Sequence, residues 1–183
     1  MRKGNATYVT KGYGQVEPNH LSAQRTAQIY AQLPAKSDIE MLENGQFVKY
    51  NYKDNVVDFA GAGEWMLVYN EVKVYGERET DADFAMIKTN YNGRVYDATG
   101  ANMPEGSTMV PRVFKTNIGD IFTTNTIAAS LETADEELIG KTLTPGAKGI
   151  LEITAATDGM LWQIVKVYTL GDGQKAVKIM RIA

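Results

Sequence analysis

The chain has no cysteine. That absence excludes disulfides, thiolate catalysis and cysteine-based zinc or iron–sulfur centres, and it fits a reducing compartment. Histidine occurs once, as His20. A metal site built on histidines needs more than one, so none is expected. No run of about 18 apolar residues is present, so no membrane-spanning helix is expected. Arg2 and Lys3 are followed by a polar, aromatic stretch rather than an apolar one, so export by a signal peptide is not expected. The short glycine pairs Gly12/Gly14, Gly61/Gly63 and Gly171/Gly173 do not continue into a dinucleotide or Walker loop and read as turns. No GxSxG occurs, and a serine hydrolase would have only His20 as its base.

What is present is a chain of two unlike parts. Its 183 residues are enough for one domain and an appendage. A domain of this size buries roughly 70% of its unfolded surface and folds without a metal or disulfide staple. The net charge of −3 conceals a contrast. Residues 1–36 hold five basic residues (Arg2, Lys3, Lys11, Arg25, Lys36) and one acidic residue, Glu17, for a net +4. The other 14 basic and 21 acidic residues give −7. A basic arm suits nucleic acid or an acidic protein surface. Four surplus charges over 36 residues are thin for nucleic acid, so a protein partner is expected.

Within the arm, Tyr8, Val9, Tyr13 and Val16 are apolar points spaced along a glycine-loosened stretch, the pattern of a docked arm rather than a free tail. Ser22 is placed to cap a short helix over residues 23–33, closed by Pro34. From residue 37 onward the period becomes that of strands. Residues 39–42, the Asn44-Gly45 turn and residues 47–52 read as a hairpin. Phe47, Lys49 and Asn51 face one way, and Val48, Tyr50 and Tyr52 the other. Residues 56–60 are a further strand. Trp65, Leu67 and Tyr69 alternate with Met66 and Val68, so both faces of that strand are covered.

Phe84 to Asp97 reads as a second hairpin about Asn92-Gly93. Residues 109–116 and 120–126 read as strands about Ile118-Gly119. Thr133 and Glu136 have capping-box spacing and predict a helix over residues 134–139, stopped by Gly140. Strands follow at residues 141–144, 150–155, 160–170 and 175–182, with turns at Pro145-Gly146 and Gly171-Asp172-Gly173. Short strands at intervals of about 8–12 residues argue for a barrel or sandwich. The expected fold is all-β and mainly antiparallel, with an extended N-terminal arm and one or two short helices. The expected division is an arm over residues 1–36 and a β-rich domain over residues 37–183.

No cluster announces a chemistry. His20 reads as a turn residue before the helix cap. Glu77, Glu79, Asp81 and Asp83 lack the sharp-turn glycine and closing glutamate of an EF-hand and read as a solvated loop. Glu132, Asp135, Glu136 and Glu137 oppose the positive end of a helix dipole. Trp65 and Trp162 lie in strong strands and read as core. Tyr8, Tyr13, Tyr91 and Tyr96 lie in the arm or beside turns and are the better candidates for exposed contacts.

Four segments carry a resemblance: Met41-Leu42-Glu43-Asn44-Gly45-Gln46-Phe47-Val48-Lys49-Tyr50, Glu64-Trp65-Met66-Leu67-Val68-Tyr69-Asn70-Glu71-Val72, Ile118-Gly119-Asp120-Ile121-Phe122-Thr123-Thr124-Asn125 and Leu143-Thr144-Pro145-Gly146-Ala147-Lys148-Gly149-Ile150-Leu151. Together they resemble the small structural proteins of tailed bacteriophages that coat or brace the capsid, known as decoration, cement or auxiliary head proteins. The likeness spans residues 42–182. It implies a virion structural protein that binds and stabilises a capsid shell, with no catalytic residues, cofactor or metal. Its implied partners are the major capsid protein or other virion subunits, without membrane or nucleic acid. It also implies location in the virion after assembly in the host cytoplasm. Arg2, Lys3, Tyr8, Lys11, Tyr13 and Arg25 of the arm are the expected partner-binding residues. A homo-oligomer is expected, a trimer at a symmetry axis being one closed arrangement. The alternatives are a glycan- or receptor-binding tail or fibre module and an enzyme using two carboxylates.

Overall fold

A computed structural model describes residues 16–20, 33–39, 41–69, 96–97, 110–128, 135–170 and 173–183. In chain order its elements are β1 (Val16–His20), β2 (Met41–Leu42), β3 (Phe47–Asn51), β4 (Val56–Asp58), β5 (Met66–Val68), β6 (Tyr96–Asp97), β7 (Val113–Phe114), β8 (Ile121–Thr124), α1 (Asp135–Leu138), β9 (Thr142–Pro145), β10 (Leu151–Ile153), β11 (Trp162–Thr169) and β12 (Lys175–Arg181). The fold is all-β and antiparallel, as expected. A six-stranded sheet runs β1-β8-β12-β11-β9-β10, a four-stranded sheet runs β4-β3-β5-β7, and β2 pairs with β6.

The two larger sheets form a sandwich, and strand alternation explains why. Phe47, Leu67 and Phe114 project from one face of the smaller sheet. They meet Phe122, Leu143, Leu151, Trp162, Ile164, Val177 and Ile179 from the larger. At the centre, Trp162 lies 5.7 Å from Phe47 and 5.0 Å from Phe122, ring centre to ring centre, spacings at which tilted aromatic pairs attract. Val48, Tyr50, Met66, Val68 and Val113 project from the other face of the smaller sheet. Leu33, Ala35, Ile39 and Leu42 cover them. The smaller sheet is therefore buried on both faces, as the alternation of Trp65, Leu67 and Tyr69 with Met66 and Val68 predicts.

The larger sheet curls. Past β8, Ile127 bridges Leu151 of β10 in parallel, and the Ala128 N–H donates to Leu151 O at 3.0 Å. Its free β10 edge is thereby covered. The β4 edge is covered in the same way, since the Lys36 N–H donates to Val57 O and the Val57 N–H to Pro34 O. The opposite edge of the larger sheet is β1, which carries Pro18, a residue that edge strands tolerate because it has no N–H to leave unpaired.

The C-terminal half follows the sequence reading. β9 and β10 form a hairpin, and β11 and β12 form the next; Pro145, expected in the first turn, instead pairs with Leu151 as the last residue of β9, and the turn follows at residues 146–149. α1 begins with Asp135, Glu136 and Glu137 in its first turn, where carboxylates favour the helix dipole. The expected hairpin over residues 39–52 does not form. β2 pairs with β6, whereas β3 pairs with β4 and β5. The turn exists, but its hydrogen bonds point elsewhere. Gln46 Oε1 accepts from the Glu43 N–H at 2.5 Å, and the Gly45 N–H donates to Val68 O at 3.0 Å, so the chain leaves the turn committed to β5. The expected helix at residues 23–33 lies outside the described residues except for Leu33, which is not helical. The expected hairpin about Asn92-Gly93 lies outside them apart from β6.

Candidate functional site

The described residues tie parts of the first 36 to the body at two places. Leu33 packs on the outer face of the smaller sheet, with Ala35 and Lys36 beside Val57. The other place is β1, which adds to the edge of the larger sheet with Val16, Glu17, Pro18 and His20 opposite Thr124, Thr123, Phe122 and Ile121. The register shifts between Pro18 and His20. His20, read from sequence as a turn residue, thus ends a strand.

One hydroxyl holds this strand laterally. The Tyr168 hydroxyl lies 2.8 Å from Glu17 Oε2 and 2.7 Å from Thr123 Oγ1. A phenol has one proton. It goes to the carboxylate, which can only accept, and the Thr123 hydroxyl donates to the phenol oxygen in return. Burial raises the Tyr168 pKa above its ordinary value of 10.0; the bond to Glu17 and its charge add to this, and Thr123 opposes it. Tyr168 therefore stays neutral and donating across the physiological range. Val16 packs on the edge of the main core beneath.

Register carries the same face further across the sheet. Glu17 is opposite Thr123, Thr123 opposite Lys178, and Lys178 opposite Lys166. The Lys166 ammonium also sits 5.6 Å from the Tyr168 ring centre, within cation–π range. Two lysines directly opposed across strands repel each other.

Behind this edge lies a buried polar junction between the sheets. Glu43, Asn44, Gln46, Thr124, Asn125, Thr126 and Gln174 are all buried. The Thr126 hydroxyl donates to Asn44 O at 2.6 Å, Asn125 Nδ2 to Gln174 Oε1 at 2.9 Å, and Gln46 Nε2 to Lys148 O at 3.1 Å. The Phe47 N–H donates to Gly149 O at 2.7 Å. These bonds fix how the turn before β3 meets the end of β8 and the β9–β10 turn. It is scaffolding for the edge.

No protein-family model, curated protein or solved structure matches the chain.

The arm residues expected to bind a partner, Arg2, Lys3, Tyr8, Lys11, Tyr13 and Arg25, lie outside the described residues. So do Tyr91 and the acidic loop of Glu77, Glu79, Asp81 and Asp83. Trp162 is core, as read from sequence. Trp65 is half-buried, with the Lys49 ammonium 4.6 Å from its ring centre. Among the described residues no group of three or more His, Cys, Asp or Glu side chains is placed to hold a metal ion, and no helix is long and apolar enough to cross a membrane.

Sequence reasoning missed Glu17, Thr123 and Tyr168 as a unit. One signal was available: Glu17 is the lone acid among the first 36 residues. Nothing local connects it to a tyrosine 151 positions later.

Proposed function

We propose that the chain is a virion structural protein that binds and stabilises a tailed-phage capsid shell, with residues 1–15 as its strap. The observation that carries this reading is the strap's root. The chain after residue 15 enters an edge strand and is latched there through Glu17, Thr123 and Tyr168. A strap is useful only if tension on it reaches a rigid body, and a strand hydrogen-bonded along a cored sheet transmits such tension.

Charge and reach support the same reading. Residues 1–15 contain Arg2, Lys3 and Lys11 and no acid, for +3, while the rest of the chain has 16 basic and 22 acidic residues, for −6. Fifteen residues extend to about 50 Å. The radius of gyration expected for the remaining 168 residues is about 15 Å, so the strap can cross onto a neighbouring subunit. Repeated over a shell, modest contacts add up through multivalency.

The experiment is co-sedimentation with tailed-phage shells stripped of their outer proteins. Full-length chain should pellet with shells, and chain lacking residues 1–15 should stay in the supernatant with its β-type circular dichroism intact. Equal pelleting of the two would overturn the role of the strap. The cut is placed at residue 15 because residues 16–20 and 33–36 belong to the body.

A further inference from the structure

The β1–β8 contact combines three properties: it is specific, it is shallow, and twelve residues separate its strand from the next described residue. It is specific because the Glu17 carboxylate must meet the Tyr168 hydroxyl, itself bonded to Thr123, while Val16 meets the core. It is shallow because the strand has five residues, Pro18 contributes no N–H, the register breaks once, and Glu17 is exposed. The tether is the twelve-residue connection 21–32, which leads to the next described contact, at Leu33 and Ala35 on the other sheet. Twelve residues span at most about 40 Å, more than the roughly 15 Å radius of gyration expected of the body.

We propose that the Ile121–Thr124 edge of β8 is a strand-acceptor surface, and that its partner is β1 of a second copy of this chain. The swapped strand makes the same ladder, the same Glu17–Tyr168 bond and the same Val16 contact as the resident one. The two arrangements are therefore equal in contact chemistry, and tether length and chain concentration set the balance. At the local concentrations of an assembly the exchanged form prevails. Passed from copy to copy, β1 closes a ring. The claim concerns chain-to-chain contact and stands whether or not a shell is the larger partner.

The absence of cysteine provides a clean test. Glu17→Cys is made in one tagged copy and Thr123→Cys in an untagged copy, these residues being opposite one another in register, a spacing a disulfide can bridge. The two are unfolded together, refolded at high concentration and oxidised. The expected result is a covalent heterodimer absent from either variant alone. A second measurement needs no substitution. Equal amounts of ¹⁴N- and ¹⁵N-labelled wild-type chain are co-refolded and treated with a zero-length carboxyl–amine cross-linker. Glu17 and Lys178 share one face two strands apart, and roughly half of their linked peptides should carry mixed labels if strands are shared at random. Linked peptides of uniform label only, together with no heterodimer, would overturn the proposal and leave β1 on its own body.

Discussion

Replacing Tyr168 with phenylalanine removes one oxygen from the root of the leading segment and leaves the ring in place. That oxygen makes two hydrogen bonds, one to the Glu17 carboxylate and one to Thr123. A bond to a charged group contributes about 1.5–3 kcal/mol when buried and a neutral one about 0.5–1.5. Glu17 is exposed, so the lower end applies, and the loss should be about 1 kcal/mol, or roughly fivefold in an opening equilibrium. β1 is an edge strand, so the loss should be local. Hydrogen exchange followed by mass spectrometry should show β1 amides exchanging about fivefold faster, with β9, β11 and β12 unchanged. The pH dependence has a definite sign. The folded-state pKa of Tyr168 lies above 10.0, so the hydroxyl's contribution is complete below pH 10 and is lost as pH rises through the folded value. The stability difference between wild type and Tyr168→Phe in urea should therefore hold constant from pH 7 to 9 and shrink above pH 10. Unchanged β1 exchange, or acceleration spread evenly over the sheet, would refute the latch.

Three further substitutions test the body that carries it. Gly149→Ala places a methyl against the Phe47 carbonyl at φ +68, whereas Gly140→Ala meets open space at φ +86; both incur a left-handed backbone cost of about 1–2 kcal/mol, and only the first should lose a further 1–3 kcal/mol or so as the Phe47–Gly149 bond breaks, read as denaturant midpoints that would coincide if the close approach were irrelevant. Among the described residues the buried Trp162 Nε1–H has no acceptor, so Trp162→Phe should cost about 1–2 kcal/mol against about 3–5 for Trp162→Ala, and equal costs would contradict that. Lys178→Gln removes the repulsion in the opposed Lys166–Lys178 pair without setting a second carboxylate beside Glu17 and should stabilise by about 0.2–1 kcal/mol, an effect that should fade at high salt.

These residues also show where sequence reasoning works. The burial of both faces of β5 was legible because it is written locally, in the alternation of Trp65, Leu67 and Tyr69 with Met66 and Val68. The β9–β10 and β11–β12 hairpins were legible because their turns are short and carry glycine. β1 was not, since Pro18 and Asn19 argue against a strand and its partners, Ile121 to Thr124, lie a hundred positions away. The Asn44-Gly45 signal misled because it reports a turn and not which strands the turn joins. That choice is made by Gln46, Val68 and Gly149, through tertiary contacts that no local pattern records. The candidate site was legible only as charge, the basic residues of the leading segment, and its latch was not.

Electron microscopy of the full-length protein bound to a tailed-phage capsid shell tests the central claim most directly. The account predicts density for the body on the outside of the shell, with the β1 edge turned toward a neighbouring subunit and the leading residues lying across it. A body that leaves the shell bare, or attaches through a surface remote from β1 with its leading residues turned away, would contradict it.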